Sequence, residues 1–228
     1  ADARIATEIC RRAAERLPDR VVLLPTLVHG YTPHHMDFPG PISIGWRTFV
    51  EHAVDVGRSL AHHGFKRILY LNGHGSNIPL LDVAARLVSL EHPDVLCASA
   101  FYLTSEEAAR VIAEVRESGR GGMGHACELE TSIYLAIDPD AVLMDRAVDE
   151  NSFPEGPYAW MDWSDGPLKL MPWWNAISRT GVHGAPTKAT AEKGRVLLEA
   201  AVRECVGFVQ ELLDKPLPER WAPSETLP

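Results

Sequence analysis

"RILYLNGHGSNIPLLDVAARLVSLEH" (67–92) decides the fold. Residues 67–73 form a short apolar run that suits a strand covered on both faces. From Asn77 the apolar positions recur at helical spacing, with Asn77 as the expected N-cap and Pro79 in the first turn. Between the two lies a turn that crowds His74 between Gly73 and Gly75 and flanks it with Asn72 and Asn77. A buried strand that passes through a tight turn into a helix is the repeating unit of a parallel α/β sheet.

The same alternation continues on both sides. Upstream, residues 2–17 have helical spacing and stop at Pro18, and "VVLLPTLV" (21–28) is expected to be a second buried strand. A Gly-, Pro- and His-rich loop follows, then a helix over 46–63 that ends at Gly64. Downstream, 94–103 reads as a strand, and 105–118 as a helix capped by Ser105. A glycine loop (119–130) leads into the helix "ELETSIYLAI", and a closing helix spans 187–214. Residues 145–176 are polar, Trp-rich and without a period, and the last dozen residues read as tail. The expected architecture is a three-layer αβα sandwich with a mostly parallel central sheet, one domain over 1–228 without internal repeats.

Composition narrows the function classes. With 31 Asp and Glu against 22 Lys and Arg the net charge is −9, and no basic cluster offers a nucleic-acid surface. No apolar run reaches the roughly 20 residues that a membrane helix needs. Cys10, Cys97, Cys127 and Cys205 are scattered without a CxxC, which suits reduced thiols in a cytoplasmic protein. Residue 1 is not Met, so an N-terminal piece is expected to be missing.

Three His-bearing glycine loops stand out. His74 lies at a strand's carboxyl end, where α/β proteins gather their ligand loops. It either points at a ligand or merely ties the turn to a neighbouring loop. "GHACELETS" (124–132) sets His125, Glu128 and Glu130 at a second loop-to-helix junction. The glutamates either answer the helix dipole or serve a metal or acid–base site. "HHMDFPG" (34–40) carries a histidine pair of a kind usually solvated. Together the three loops offer imidazole and carboxylate groups, a donor set for catalytic Zn, Mn or Fe rather than structural zinc. Cys127 reads as a small packing residue. Neither GxGxxG nor GxxxxGK[ST] is present, so a nucleotide-binding reading ranks last.

"LNGHGSN", "GHACELETS" and "HHMDFPGPIS", with "GVHGAPTKATAEKGR" (181–195), resemble the creatininase family, also called creatinine amidohydrolase-like. Its usual versions are NGHGGN, GHAGExETS, H-x-FPGT and G-x-G-x-P-x-x-A-x-x-EKG. The four occur in order along nearly the whole chain. The resemblance implies an α/β fold, two divalent metal ions (Zn, Mn or Fe), a homohexamer and hydrolysis of amide C–N bonds by a hydroxide held on the metals. It implies Asp2 as the carboxylate shared by both metals and His74 as a ligand of one. The family's Glu-x-His ligand pair has no counterpart in the chain and would lie upstream of Ala1. The resemblance also implies His125 as the proton carrier, with Glu130 as a supporting or acid–base group.

The departures are specific. Creatininases that act on creatinine carry NGHYEN, where this chain has Gly75 and Ser76, and Glu128 is expected to replace the lost glutamate as a metal ligand. They also place Trp-Asp where this chain has Gly121 and Gly122. The threonine of FPGT is Pro41, whereas Ser43 matches a substrate-loop serine. His35, Ser43 and Trp174 are the expected substrate-facing residues. The Trp-rich segment 158–174 is expected to act as a lid or subunit contact, or else to be a surface hairpin. The expected substrate is a small cyclic amide, formamide or related amide, and not creatinine. A peptide-processing or deformylase member and a non-catalytic metal-binding scaffold are the alternatives.

Overall fold

The computed structural model describes residues 1–164 and 166–219. Helices α1 (Asp2–Glu15), α2 (Trp46–His62), α3 (Ile78–Glu91), α4 (Glu106–Val115), α5 (Glu128–Ile137) and α6 (Ala191–Asp214) surround strands β1 (Arg67–Asn72), β2 (Leu96–Phe101), β3 (Met123–His125) and β4 (His183–Gly184). β1 and β2 are parallel, in register from Arg67 opposite Leu96 to Asn72 opposite Phe101. β3 and β4 form a separate antiparallel pair. The chain is α/β, as expected.

Two apolar clusters clothe the parallel pair. On one side Phe49, Ala53 and Val54 of α2 meet Leu81, Ala84 and Val88 of α3 over Ile68. On the other, Ile5 and Ile9 of α1, Ile133 of α5 and Leu197, Leu198 and Val202 of α6 form a second cluster, with Leu71 and Phe101 against it. Each fully buried Leu or Ile contributes roughly 1.5–3 kcal/mol, so these clusters hold the layers together. α5 and α6 cross very closely. A Cβ on Gly194 would fall 1.7 Å from the Ser132 carbonyl oxygen. That close crossing explains the glycine in "EKG".

Several local expectations hold. Ser105 Oγ accepts from Ala108 N at 3.2 Å, and Thr190 Oγ1 accepts from Lys193 N at 3.2 Å, each closing a helix start. Others change. Asn77 precedes α3 without capping it; its side chain is used elsewhere. Residues 187–190 precede α6 instead of opening it, because Pro186–Lys188 forms its own 3-10 turn.

The expected strand over 21–28 is not one. These residues make no strand pairing among the described residues, and Val22 and Val28 are 65% and 64% exposed. Apolar content supplied the expectation, but a strand exists only where a neighbour takes its hydrogen bonds. The segment instead flanks a cavity of about 1650 Å³ whose opposite wall is β1. Among the described residues β1 pairs with β2 along one edge only. Ala6 and Cys10 of α1 and Val209 of α6 also line this slot. Its far end reaches Asp2, His35, His74, His125 and Trp174.

Candidate metal centre and active site

The turn after β1 is built to hold His74. Asn72, 4% exposed, folds back on it: its Nδ2 donates to His74 O at 2.9 Å, and its Oδ1 accepts from His74 N at 3.1 Å. Gly73 brings the start of α1 against the turn, since a Cβ there would lie 2.8 Å from the Asp2 carbonyl oxygen. Ser76 Oγ donates to Tyr31 O, and Asn77 Oδ1 accepts from Tyr31 N at 3.0 Å. The polar residues after His74 thus fasten the turn to the loop carrying His34 and His35.

That loop is ordered in turn by Ser43. Its Oγ accepts from Thr32 N at 2.9 Å, and Thr32 Oγ1 lies 2.6 Å from His35 Nδ1. The contact with Thr32 sets the His35 ring and leaves Nε2 facing inward.

Several elements converge here. Asp2, at the start of α1, places Oδ2 3.2 Å from His74 Nδ1. His35 stacks on His125 of β3 with centroids 4.4 Å apart. Trp174, 3% exposed, packs its ring 4.5 Å from His35 and 4.8 Å from His125, and donates Nε1–H to Gly181 O at 2.8 Å. One ligand atom from each of His34, His35 and His74 falls within 4.8 Å of the others.

Burial sets the charge states. It pushes His34 down to about 4, helped by His74. It pushes His35 to about 2, helped by His125 and His34. Burial also takes His125 to about 4, against the pull of Asp2. Burial would raise Asp2, but the hydrogen bond with His74 keeps it below its ordinary value. Glu130 accepts from Ala126 N at 2.7 Å and is pushed up to about 7, first by burial and then by the Asp2 charge. Neutral imidazoles beside an ionised carboxylate are what a divalent cation needs. His35 Nε2 and His74 Nε2 are buried with no hydrogen-bond partner among the described residues. Such orphaned nitrogens fit a bound cation, and the donor set suits Zn, Mn or Fe.

The comparisons agree with this geometry. A family model described as "Creatinine amidohydrolase" matches residues 1–209. The chain belongs to the creatininase family. It is 31% identical to a mycofactocin precursor peptide peptidase of Mycobacterium ulcerans, over 97% of this chain and 78% of the relative. It is 28% identical to a creatinine amidohydrolase of Pseudomonas putida, over 92% and 81%. The solved structure of a mutant creatininase of Zn-Zn type superposes with TM-score 0.74 at 26% identity, covering 94% of this chain and 83% of that one. Creatininase-family membership makes the chain a hydrolase of α/β fold class, with relatives that act on amides. The greater identity to the peptidase agrees with Gly75 and Ser76 in setting it apart from creatininase itself.

Against this family frame, the structure brings Asp2, His35, His74, His125, Glu130 and Trp174 together, and it corrects two assignments. Glu128 is not available to a metal. Its carboxylate accepts from Glu117 N at 3.0 Å, Ser118 N at 2.9 Å and Lys193 Nζ at 2.7 Å, fully buried in an ion pair to α6. Ser43 spends its hydroxyl on the His loop, accepting from Thr32 N and donating to Ile44 O at 3.4 Å, and so supports His35 rather than facing substrate.

The histidine pair is not solvated either, since both residues are 6% exposed. His34, absent from the expected site, belongs to it; the only signal was its place beside His35. The Trp-rich segment divides. Trp174 walls the site, and Trp163 stacks on Phe101 with centroids 5.4 Å apart. Trp173 and Tyr158 are exposed.

Proposed function

We propose that this chain is a metal-dependent amidohydrolase, cleaving the C–N bond of a small cyclic amide, formamide or related amide. The observation that carries this reading is the pair of orphaned nitrogens, His35 Nε2 and His74 Nε2, beside the Asp2 carboxylate. Asp2 and His74 would hold the cation, with Glu130 taking the carboxylate role first expected of Glu128, and the rings of His34 and of His35, the latter first expected to face substrate, would complete the donor set. Two divalent ions of the Zn, Mn or Fe class fit such donors. Bound there, a divalent ion polarises an amide carbonyl and makes a water acidic enough to attack at neutral pH.

The chain's own residues do the rest. His125, neutral and held flat against His35, accepts the proton released by the attacking water and delivers it to the departing nitrogen. The transfer matters because an unprotonated amide nitrogen is a poor leaving group. Trp174 closes one wall, excludes water and offers a flat surface to a planar amide. A peptide substrate is the second reading, favoured by the 31% identity to the mycofactocin precursor peptide peptidase.

The slot between 21–28 and β1 opens onto Asp2 and His74. Homo-oligomers, hexameric by the family resemblance, and a cytoplasmic setting complete the proposal. All four cysteines are free.

Metal analysis with a screen of amides, formamides and short peptides tests it. His74→Ala should lose bound cation, whereas His125→Ala should keep the cation and lose about 100-fold or more in turnover. Full cation content in His74→Ala removes that ligand. Undiminished turnover in His125→Ala removes the proton carrier. A wild-type protein that binds cation yet cleaves nothing in the screen points to a scaffold instead.

A further inference from the structure

Trp174 is held at both ends by one short segment. Its carbonyl accepts from Ser178 N at 2.8 Å, and its indole N–H runs to Gly181 O. Gly181 has φ of 90°, and glycine has little conformational preference of its own, so its peptides must be fixed by their neighbours. Both are. Gly181 N donates to Ser178 Oγ at 2.9 Å. Val182 N, on the same peptide as the Gly181 carbonyl, donates to Thr180 Oγ1 at 3.3 Å.

The two hydroxyls end on one carboxylate. Ser178 Oγ donates to Glu150 Oε2 at 2.9 Å, and Thr180 Oγ1 donates to the same oxygen. Arg179 N donates to Glu150 Oε1 at 2.7 Å, and Thr180 N donates to Oε2 at 3.0 Å. Bonds to an ionised acceptor are roughly twice as strong as neutral ones, so these donors make a stiff anchor. The backbone of Glu150 is fixed as well. Its N donates to Gly184 O at 3.0 Å, and its O accepts from Gly184 N at 2.6 Å. Gly184 belongs to β4, in which His183 lies opposite His125 of β3. Glu150 therefore joins the strand pair that carries His125 to the loop that holds Trp174, whose ring packs on His125 and His35.

Resting on the active-site reading above, we propose that Glu150 is a positioning residue for the Trp174 wall: through Ser178 and Thr180 it fixes the Gly181 carbonyl that takes the indole N–H, and so holds the ring against the His35–His125 pair.

Glu150→Gln keeps the shape of the side chain but puts a donor where two oxygens accept. The first readout is hydrogen exchange at the Trp174 indole N–H in the metal-free protein, with the resonance assigned by Trp174→Phe. The Trp163 indole, which donates to Leu103 O at 2.9 Å, is the reference. Exchange at Trp174 should rise about tenfold or more while Trp163 is unchanged. The second readout uses Mn(II) as the probe. Its dissociation constant should stay within about twofold, because Glu150 bonds to none of the ligands, while the water-proton relaxation rate of the loaded protein rises as the wall admits water. If Glu150→Gln does not fold, Ser178→Ala breaks one of the two links and should shift both readouts in the same direction. Unchanged exchange at Trp174 overturns the proposal. An equal rise at Trp163 does so too, because it shows general loosening. Unchanged water relaxation also overturns it, and Mn(II) affinity that falls tenfold makes Glu150 a support of the ligands instead of the wall. If the wild-type protein binds no Mn(II), the active-site reading itself fails and takes this one with it.

Discussion

At Gly73 the spacing between two elements comes down to one hydrogen atom. A Cβ there would lie 2.8 Å from the Asp2 carbonyl oxygen and 3.1 Å from Ala6 Cβ, so α1 would have to move away from the turn. Gly73→Ala should therefore cost about 1–3 kcal/mol of stability by overpacking, and separate Asp2 from His74 as well. Urea denaturation reads the first effect and cation titration the second; full cation affinity in a destabilised variant would show that the two residues do not act as a unit. The turn that carries His74 was legible in the sequence, because an apolar run stops at a glycine-flanked histidine just before a helix starts. The choice between Glu128 and Glu130 was not. Each residue advances about 100° around a helix, so side chains two apart face nearly opposite ways. Both sit in the first turn of α5, and only packing shows that Glu128 faces α6 while Glu130 faces Asp2.

The α5–α6 junction is the element on which the site leans. Lys193, with its side chain 12% exposed, pairs with Glu128 at 2.7 Å and with Glu117 at 2.7 Å, while Glu128 also closes the backbone after α4. Removing one partner of a buried pair leaves the other charge uncompensated. Glu128→Ala should cost about 3–5 kcal/mol, somewhat less if Glu117 retains the lysine. The variant's folded fraction should still bind cation with wild-type stoichiometry. Loss of one equivalent of cation per folded chain would restore Glu128 to the ligand set. The capping residues of α4 and α6 were readable in the sequence, because a Ser or Thr at a helix start acts through its own turn. The failure of 21–28 as a strand was not, since pairing depends on a neighbour that local composition does not describe.

Across the whole molecule, the slot beside β1 joins fold and site. It is walled by apolar side chains, among them the exposed Val22, Leu23 and Leu24, and it ends at the histidine cluster. An apolar fluorescent dye should bind there. Absence of dye binding would argue that the slot is closed in solution. The sequence by itself determined the helices, the parallel strands β1 and β2, the glycine turns that carry His74 and His125, and the creatininase-family resemblance. All of these depend on residues close together in the chain. The tertiary structure alone decided that His34 and His35 are buried beside His74, that Glu128 belongs to an ion pair, and that residues 21–28 face an open slot. Those outcomes depend on which faces of distant segments meet, and burial, pairing and charge state are properties of that meeting.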